Sequence, residues 1–257
     1  MTLLPLPAFQ DNYIWIISDK DSSLIWAVDP GDAQVVSTYC AENNSKLGGI
    51  LITHHHRDHT GGVAKLKEQF QCPVYGPKHL TDLITHGVDE GDSISVLSNT
   101  FHVLATPGHT LDHLCYVTKE ETPRLLCGDT LFKGGCGRIM EGTAEMMLAA
   151  MAKLSHLPDN TLVYCTHEYT LANYRFALSL EPNNEQLINS ISECEKKRQH
   201  NEATLPSLLS LEKATNPFLR SHLSDIQQHA AKQLSESVAN DPVASFSQVR
   251  RAKDTFS

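Results

Sequence analysis

The chain has 257 residues, 40% hydrophobic and 20% charged, with 21 Lys+Arg against 30 Asp+Glu for a net charge of -9; this is ordinary globular usage and excludes disordered and low-complexity classes. The negative balance repels polyanions, so no nucleic acid or acidic membrane surface is expected as a partner, and an anionic substrate needs a local basic pocket. No apolar run approaches the roughly 18–20 residues of a membrane span.

The N-terminal MTLLPLPAFQDNYIW has no basic region, carries prolines at positions 5 and 7, and does not read as a signal peptide. Seven cysteines, an odd number without a C-x-x-C pair, read as thiols of a reducing compartment, so a cytoplasmic location is expected. NYIWIIS (12–18) and SLIWAVDPG (23–31) read as strands, the second stopped by Asp29-Pro30-Gly31. A helix over 33–44 follows, then Gly48 to Thr53 as a strand buried on both faces, and Gly61-Gly62 opening into the periodic VAKLKEQF. SISVL, FHVLAT, HLCYVT and RLLCGDTLF give four more strands, a helix covers 143–157, and TLVYCTHE (161–168) is the last strand. Strands interleaved with helices make this an α/β chain.

From Thr170 onward the pattern is helical and no strand is expected: TLANYRFALSL, EQLINSISECEKKRQH, LSDIQQHAAKQL and PVASFSQVRRAK. The last begins with Asp241 as N-cap and Pro242 at the first helical position. The expected organisation is a domain over 1–169 and a helical domain over 170–257.

Fourteen histidines are unusual, and their placement is more telling than their number. Thr53-His54-His55-His56-Arg57-Asp58-His59-Thr60-Gly61-Gly62 lies just past a buried strand, where α/β proteins place their sites. In extended chain His54 and His56 share a side while His55 points away. Asp58 and His59 come next, as the chain turns toward the glycines. Three further candidates sit at strand ends: His109 in TPGHT, Asp129 in CGDT and His167 in CTHE. Five imidazoles and two carboxylates exceed what one tetrahedral ion takes; they suit two ions sharing a carboxylate.

Isolated histidines such as His79, His86, His156, His200, His222 and His229 read as ordinary surface or core residues. His55, His102 and His113 are placed with them. His113 competes most closely with His109, but the Pro-Gly turn frees the backbone to aim the His109 ring.

THHHRDHTGG, TPGHT, CGDTLF and THEYT, in this order, resemble the metallo-β-lactamase superfamily. GDTLFKGGCGRIMEGTAEMM, THEYTLANYRFA, NPFLR and VRRAKDTF extend the resemblance over nearly the whole chain, to the glyoxalase II (hydroxyacylglutathione hydrolase) family. It implies an αββα metallo-β-lactamase sandwich with a C-terminal helical domain. It also implies two divalent metal ions per chain, zinc first, with iron or manganese compatible. One ion is held by His54, His56 and His109, the other by Asp58, His59 and His167, with Asp129 bridging.

The implied reaction is hydrolysis of S-D-lactoylglutathione and related 2-hydroxyacyl thioesters to glutathione and D-lactate, a step of methylglyoxal detoxification, by a metal-bridging hydroxide. A thioester carbonyl is a good electrophile and water bound to a cation ionises near neutrality, so no separate protein base is required. Asp58 and Asp129 are the catalytic carboxylates, Asp58 orienting the nucleophile. The partner is a small anionic thioester acted on by a monomer, with no nucleic acid and no membrane.

Arg250 and Lys253, three apart on one helical face, can meet a substrate carboxylate. The resemblance matches them to the glutathione-binding pair, and adds Arg138 and Tyr169. Met140 stands where the family often has an aromatic residue, which removes a hydroxyl contact. Cys136 reads as a tight-turn residue near the site, and Asp29 as an acceptor behind the metal ligands or a turn cap. A mononuclear iron persulfide dioxygenase of the same fold is the alternative, but it predicts neither the helical extension nor the terminal Arg/Lys pair.

Overall fold

Within the seven-residue strand β2 (Asn12–Ser18), Tyr13 to Ile17 alternate two sets of large apolar side chains. Ile14 and Ile16 pack with Ala27, Ile50, Ile52 and Val74 in one core. Trp15 and Ile17 are equally buried and, by strand alternation, lie on the opposite face. A strand covered on both faces belongs inside a layered structure.

The structure, a computed structural model, describes residues 1–20 and 22–256. They form two compact units.

The first unit comprises Met1–Ala105, Asp112–Gly128 and Thr166–Glu168. Its mixed sheet runs in the order β1 (Thr2–Ala8), β2, β3 (Leu24–Val28), β4 (Lys46–Leu51), β5 (Val74–Pro77), β6 (His86–Val88). The first three strands are antiparallel and the rest parallel. Parallel pairing needs crossovers, supplied between β3 and β4 by α1 (Ala33–Glu42), and between β4 and β5 by the short α2 (Arg57–Thr60) and α3 (Val63–Phe70). Strand β1 is one that the sequence pattern misses. Pro5 and Pro7 argue against a strand interior, but β1 sits at the sheet edge, where a missing N–H is tolerated. Four further strands, β7 (Ser93–Val96), β8 (Asn99–Ala105), β9 (Leu114–Thr118) and β10 (Arg124–Gly128), pair antiparallel in chain order. Buried Tyr116 of β9 donates its hydroxyl to the Ile52 carbonyl, and Leu114 N to Thr53 O. These bonds fix the end of β4, from which the histidine string departs.

The second unit comprises Thr106–Leu111, Asp129–Cys165 and Tyr169–Ser257. Here β11 (Leu131–Phe132) and β12 (Gly135–Cys136) form a small hairpin. The helices are α4 (Ala144–Ser155), α5 (Thr170–Leu180), α6 (Glu185–Gln199), α7 (Leu209–Thr215), α8 (Ser224–Leu234) and α9 (Pro242–Thr255). The expected cap is present: Asp241 accepts from Ala244 N with Pro242 in the first turn; α6 is capped the same way by Asn184, which accepts from Leu187 N. One expectation is corrected. A strand does occur after residue 170, β14 (Ser207–Leu208), antiparallel to β13 (Leu162–Cys165). Two residues are too few for a periodic signal. Packing gathers 129–165 with the C-terminal helices, α4 lying against α9, whereas the division at 169/170 follows the change in sequence character.

Candidate active site and metal centre

In the first unit the chain leaves β4 through Ile52 and Thr53 and places His54 in the interior. Asp29, after β3, is the organiser beside it. It is buried, sits at φ 51 and precedes Pro30-Gly31; Asp tolerates this left-handed conformation better than most residues. Its Oδ1 accepts from Thr53 N at 2.7 Å, and its Oδ2 from Thr53 Oγ1 at 2.7 Å. Because that hydroxyl gives its one proton to Asp29, it accepts from His54 Nδ1 at 3.0 Å. His59 Nδ1 donates to the same Asp29 Oδ2 at 3.0 Å. His167 Nδ1 donates to Asp11 Oδ1 at 2.8 Å.

The consequence is a set of tautomers. With Nδ1 carrying the proton, His54, His59 and His167 each turn an Nε2 lone pair inward, the state in which imidazole binds a metal. Asp58 Oδ2 lies 3.4 Å from His59 Nε2 and 3.5 Å from His167 Nε2, and Asn12 Nδ2 orients it with a 3.0 Å bond. Acceptors facing one another at such distances repel unless a proton or a cation lies among them. Bonds of 2.0–2.2 Å to one tetrahedral ion would separate its ligands by about 3.4 Å, so Asp58, His59 and His167 fit a metal. His56, half-buried before α2, holds its ring 4.7 Å from that of His54.

Gly31 makes this loop passable: a Cβ there would meet the Asp58 carbonyl oxygen at 1.8 Å. His113, left among the ordinary histidines, is buried and stacks on His54 at 4.9 Å. No potential metal-holding group among the described residues includes it. His55 turns away to Asp112, as alternation requires.

In the second unit His109 and Asp129 are both buried, with His109 Nε2 3.5 Å from Asp129 Oδ2. His109 Nδ1 donates to the Arg138 carbonyl at 2.7 Å, which fixes the same tautomer by a backbone acceptor. Gly137 permits it, since a Cβ there would lie 2.0 Å from the Asp129 carbonyl oxygen. Asn216 of NPFLR holds the β11–β12 hairpin by donating to Phe132 O and Gly135 O. Glu212, its carboxyl pushed up by burial, accepts from Gly134 N.

The four candidate substrate residues also lie in this unit. Arg138 is exposed; Tyr169 is partly exposed, with its ring edge-on to Phe132. Arg250 is only 6% exposed. Its guanidinium binds Cys136 O at 3.0 Å and Asp254 at 2.8 Å and lies over the Phe218 ring. Lys253 is half-buried and gives one bond to Ala172 O. Burial first, then the positive charges of Arg250, Arg175 and Arg138, lower its ammonium to about 8. Arg250 therefore braces the loop, and Lys253 is the more available cation. Cys136 is held as a neutral thiol, pushed up to about 11 by burial despite Arg250, in keeping with a turn residue rather than a nucleophile.

Sequence reasoning missed Asp11, Asn12 and Arg175. Asp11 stands in an ordinary turn between strands, Asn12 is the first residue of β2, and Arg175 lies inside a helical pattern; only their partners distinguish them. Asp29 was legible as an acceptor behind the ligands, through its Asp-Pro-Gly turn.

Among the described residues no helix is long and apolar enough to cross a membrane. Residues 15–167 match the metallo-beta-lactamase superfamily, and residues 168–256 match the hydroxyacylglutathione hydrolase C-terminus. The hydroxyacylglutathione hydrolase of Marinomonas sp. (strain MWYL1) is 68% identical over 257 residues, covering all of both chains. That of Shewanella halifaxensis (strain HAW-EB4) is 48% identical over 264 residues, again covering both completely. The crystal structure of ETHE1 from Myxococcus xanthus shares the fold at TM-score 0.69 with 24% identity, over 98% of this chain and 90% of that one. The αββα metallo-β-lactamase fold with a helical C-terminal part is thereby confirmed. The chain belongs to the hydroxyacylglutathione hydrolase family of the metallo-β-lactamase superfamily.

Proposed function

We propose that the protein hydrolyses S-D-lactoylglutathione and related 2-hydroxyacylglutathione thioesters to glutathione and the free 2-hydroxy acid, using two divalent metal ions, zinc first among them. The observation that carries the chemistry is the acceptor set at Nδ1 of four rings, Thr53 Oγ1 for His54, Asp29 for His59, the Arg138 carbonyl for His109 and Asp11 for His167, which favours the tautomer that presents Nε2 for ligation. The substrate class rests on full-length identity of 68% to a protein named hydroxyacylglutathione hydrolase. The C-terminal family match over 168–256 favours this reading over a persulfide dioxygenase.

His54, His56 and His109 would hold one ion, Asp58, His59 and His167 the other, with Asp129 shared. Bound divalent ions supply a water of lowered pKa and polarise a carbonyl. The chain's own residues do the rest. Asp29 and Asp11 keep the imidazole protons on Nδ1, and Asn12 holds the Asp58 carboxylate at 3.0 Å. Lys253, Arg138 and Tyr169 bind the tripeptide, and Arg250 braces their loop through Cys136 O. The proposed domains are a catalytic one over 1–169, which also lends Arg138 and Tyr169 to the substrate, and a helical substrate-binding one over 170–257, acting in the cytoplasm as a monomer.

The test follows loss of thioester absorbance with S-D-lactoylglutathione. Turnover is expected for the purified protein and should vanish on chelation and return with zinc. Lys253→Ala should raise KM with metal content unchanged. No turnover by fully metallated protein would refute the assignment.

A further inference from the structure

His55 and His79 face a shared carboxylate, that of Asp112. His55 Nδ1 is 3.0 Å from Asp112 Oδ1 and His79 Nε2 is 3.3 Å from Oδ2. The Asp112 side chain is only 7% exposed, against 34% for His55 and 56% for His79. Among the described residues Oδ2 has no hydrogen-bond partner; the His79 nitrogen is near it but is not aligned to donate. A nearly buried carboxylate oxygen without a donor is costly.

The three donor atoms come from the loop after β4, the turn after β5 and the turn before β9, and all lie within 4.8 Å of one another. Spacings of 3.0 and 3.3 Å are close to the ligand separations about one small divalent ion. Moving the His55 ring proton to Nε2 leaves a lone pair on Nδ1, so all three groups can donate. The exposed His79 edge leaves water free to complete the coordination.

We infer that His55, His79 and Asp112 form a further, exchangeable site for a divalent cation that favours imidazole, such as zinc, distinct from the residues assigned to the hydrolytic centre. Two imidazoles and one carboxylate select such ions over calcium or magnesium. With three protein ligands and one open side, the ion should exchange faster than those of the centre.

The test is calorimetric titration of zinc chloride into protein that retains its tightly held metal after gel filtration. The wild type should take up one more equivalent than His79→Gln, which should bind at that site at least tenfold more weakly. Retained metal and circular dichroism should be the same in both, and His79 is exposed enough for the change to spare the fold. Identical titrations would overturn the site and leave Asp112 as a hydrogen-bond acceptor only. The comparison reads binding alone, so it stands or falls separately from thioester hydrolysis.

Discussion

The two units fix their imidazoles by different means. In the first, side-chain carboxylates hold the rings, Asp29 for His59 and, through Thr53, for His54, and Asp11 for His167. In the second, the backbone carbonyl of Arg138 holds His109. A carboxylate adds basicity to the ring and can be removed by one substitution. A carbonyl adds less, and its position depends on how the whole loop is folded. The first unit is therefore vulnerable through its acceptors, the second through its backbone.

The largest effect is expected where this difference does not matter, at Asp129, the carboxylate proposed to be shared. On the proposed two-ion scheme Asp129→Ala should cut kcat/KM about a thousandfold or more, since several kcal/mol of charge stabilisation would depend on the metal; elemental analysis should show lost metal. Retained metal with full turnover would break the two-ion scheme.

Asp29→Asn tests the first unit's arrangement. It keeps the shape but weakens the acceptor for Thr53 and His59, and a loss of about 10–100-fold in metal affinity or activity is expected. Arg138→Ala is the matched case in the second unit. It keeps the carbonyl, so metal content should hold and only KM should rise.

Lys253→Ala should raise KM about tenfold, the worth of a charged hydrogen bond of about 1.5 kcal/mol, with kcat little changed. The same residue sets a pH dependence. Its ammonium is charged below about 8 and neutral above, so KM should climb as pH passes through that value. The unfolded chain keeps the proton to about 10.4. Between these values the unfolded state binds more protons, so this group adds stability as pH rises even while binding weakens. A KM flat across that window would show that Lys253 does not meet the substrate.

The smallest effect is expected at Met140, which is 61% exposed. Met140→Tyr should lower KM about two- to threefold by restoring a hydroxyl contact, and should change stability by less than about 0.5 kcal/mol.

Much of the first unit could be read from the chain because its signals are local. Buried runs such as Asn12–Ser18 and the string from His54 to His59 place strand, loop and candidate ligands within a few residues. Edge strand β1 was hidden by Pro5 and Pro7, whose cost disappears only at an edge, and edge position is a property of the assembled sheet. Met140 and Lys253 were visible as residue types. That Arg250 would hydrogen-bond Cys136 O and Asp254 was not visible, because those partners lie 114 and 4 residues away and nothing in the spacing selects between them and a ligand.

The sequence alone settled the alternation of strand and helix, the Asp241-Pro242 helix start and the concentration of imidazole and carboxylate at strand ends, since each depends on neighbours within a turn or two. Tertiary structure alone decided which ring nitrogen carries the proton, which carboxylate orients which histidine and how far Lys253 is dried. Those depend on atoms brought together from Asp11, Asp29 and the far C-terminus, and hydrogen bonds and desolvation act over a few ångströms of space whatever the distance along the chain.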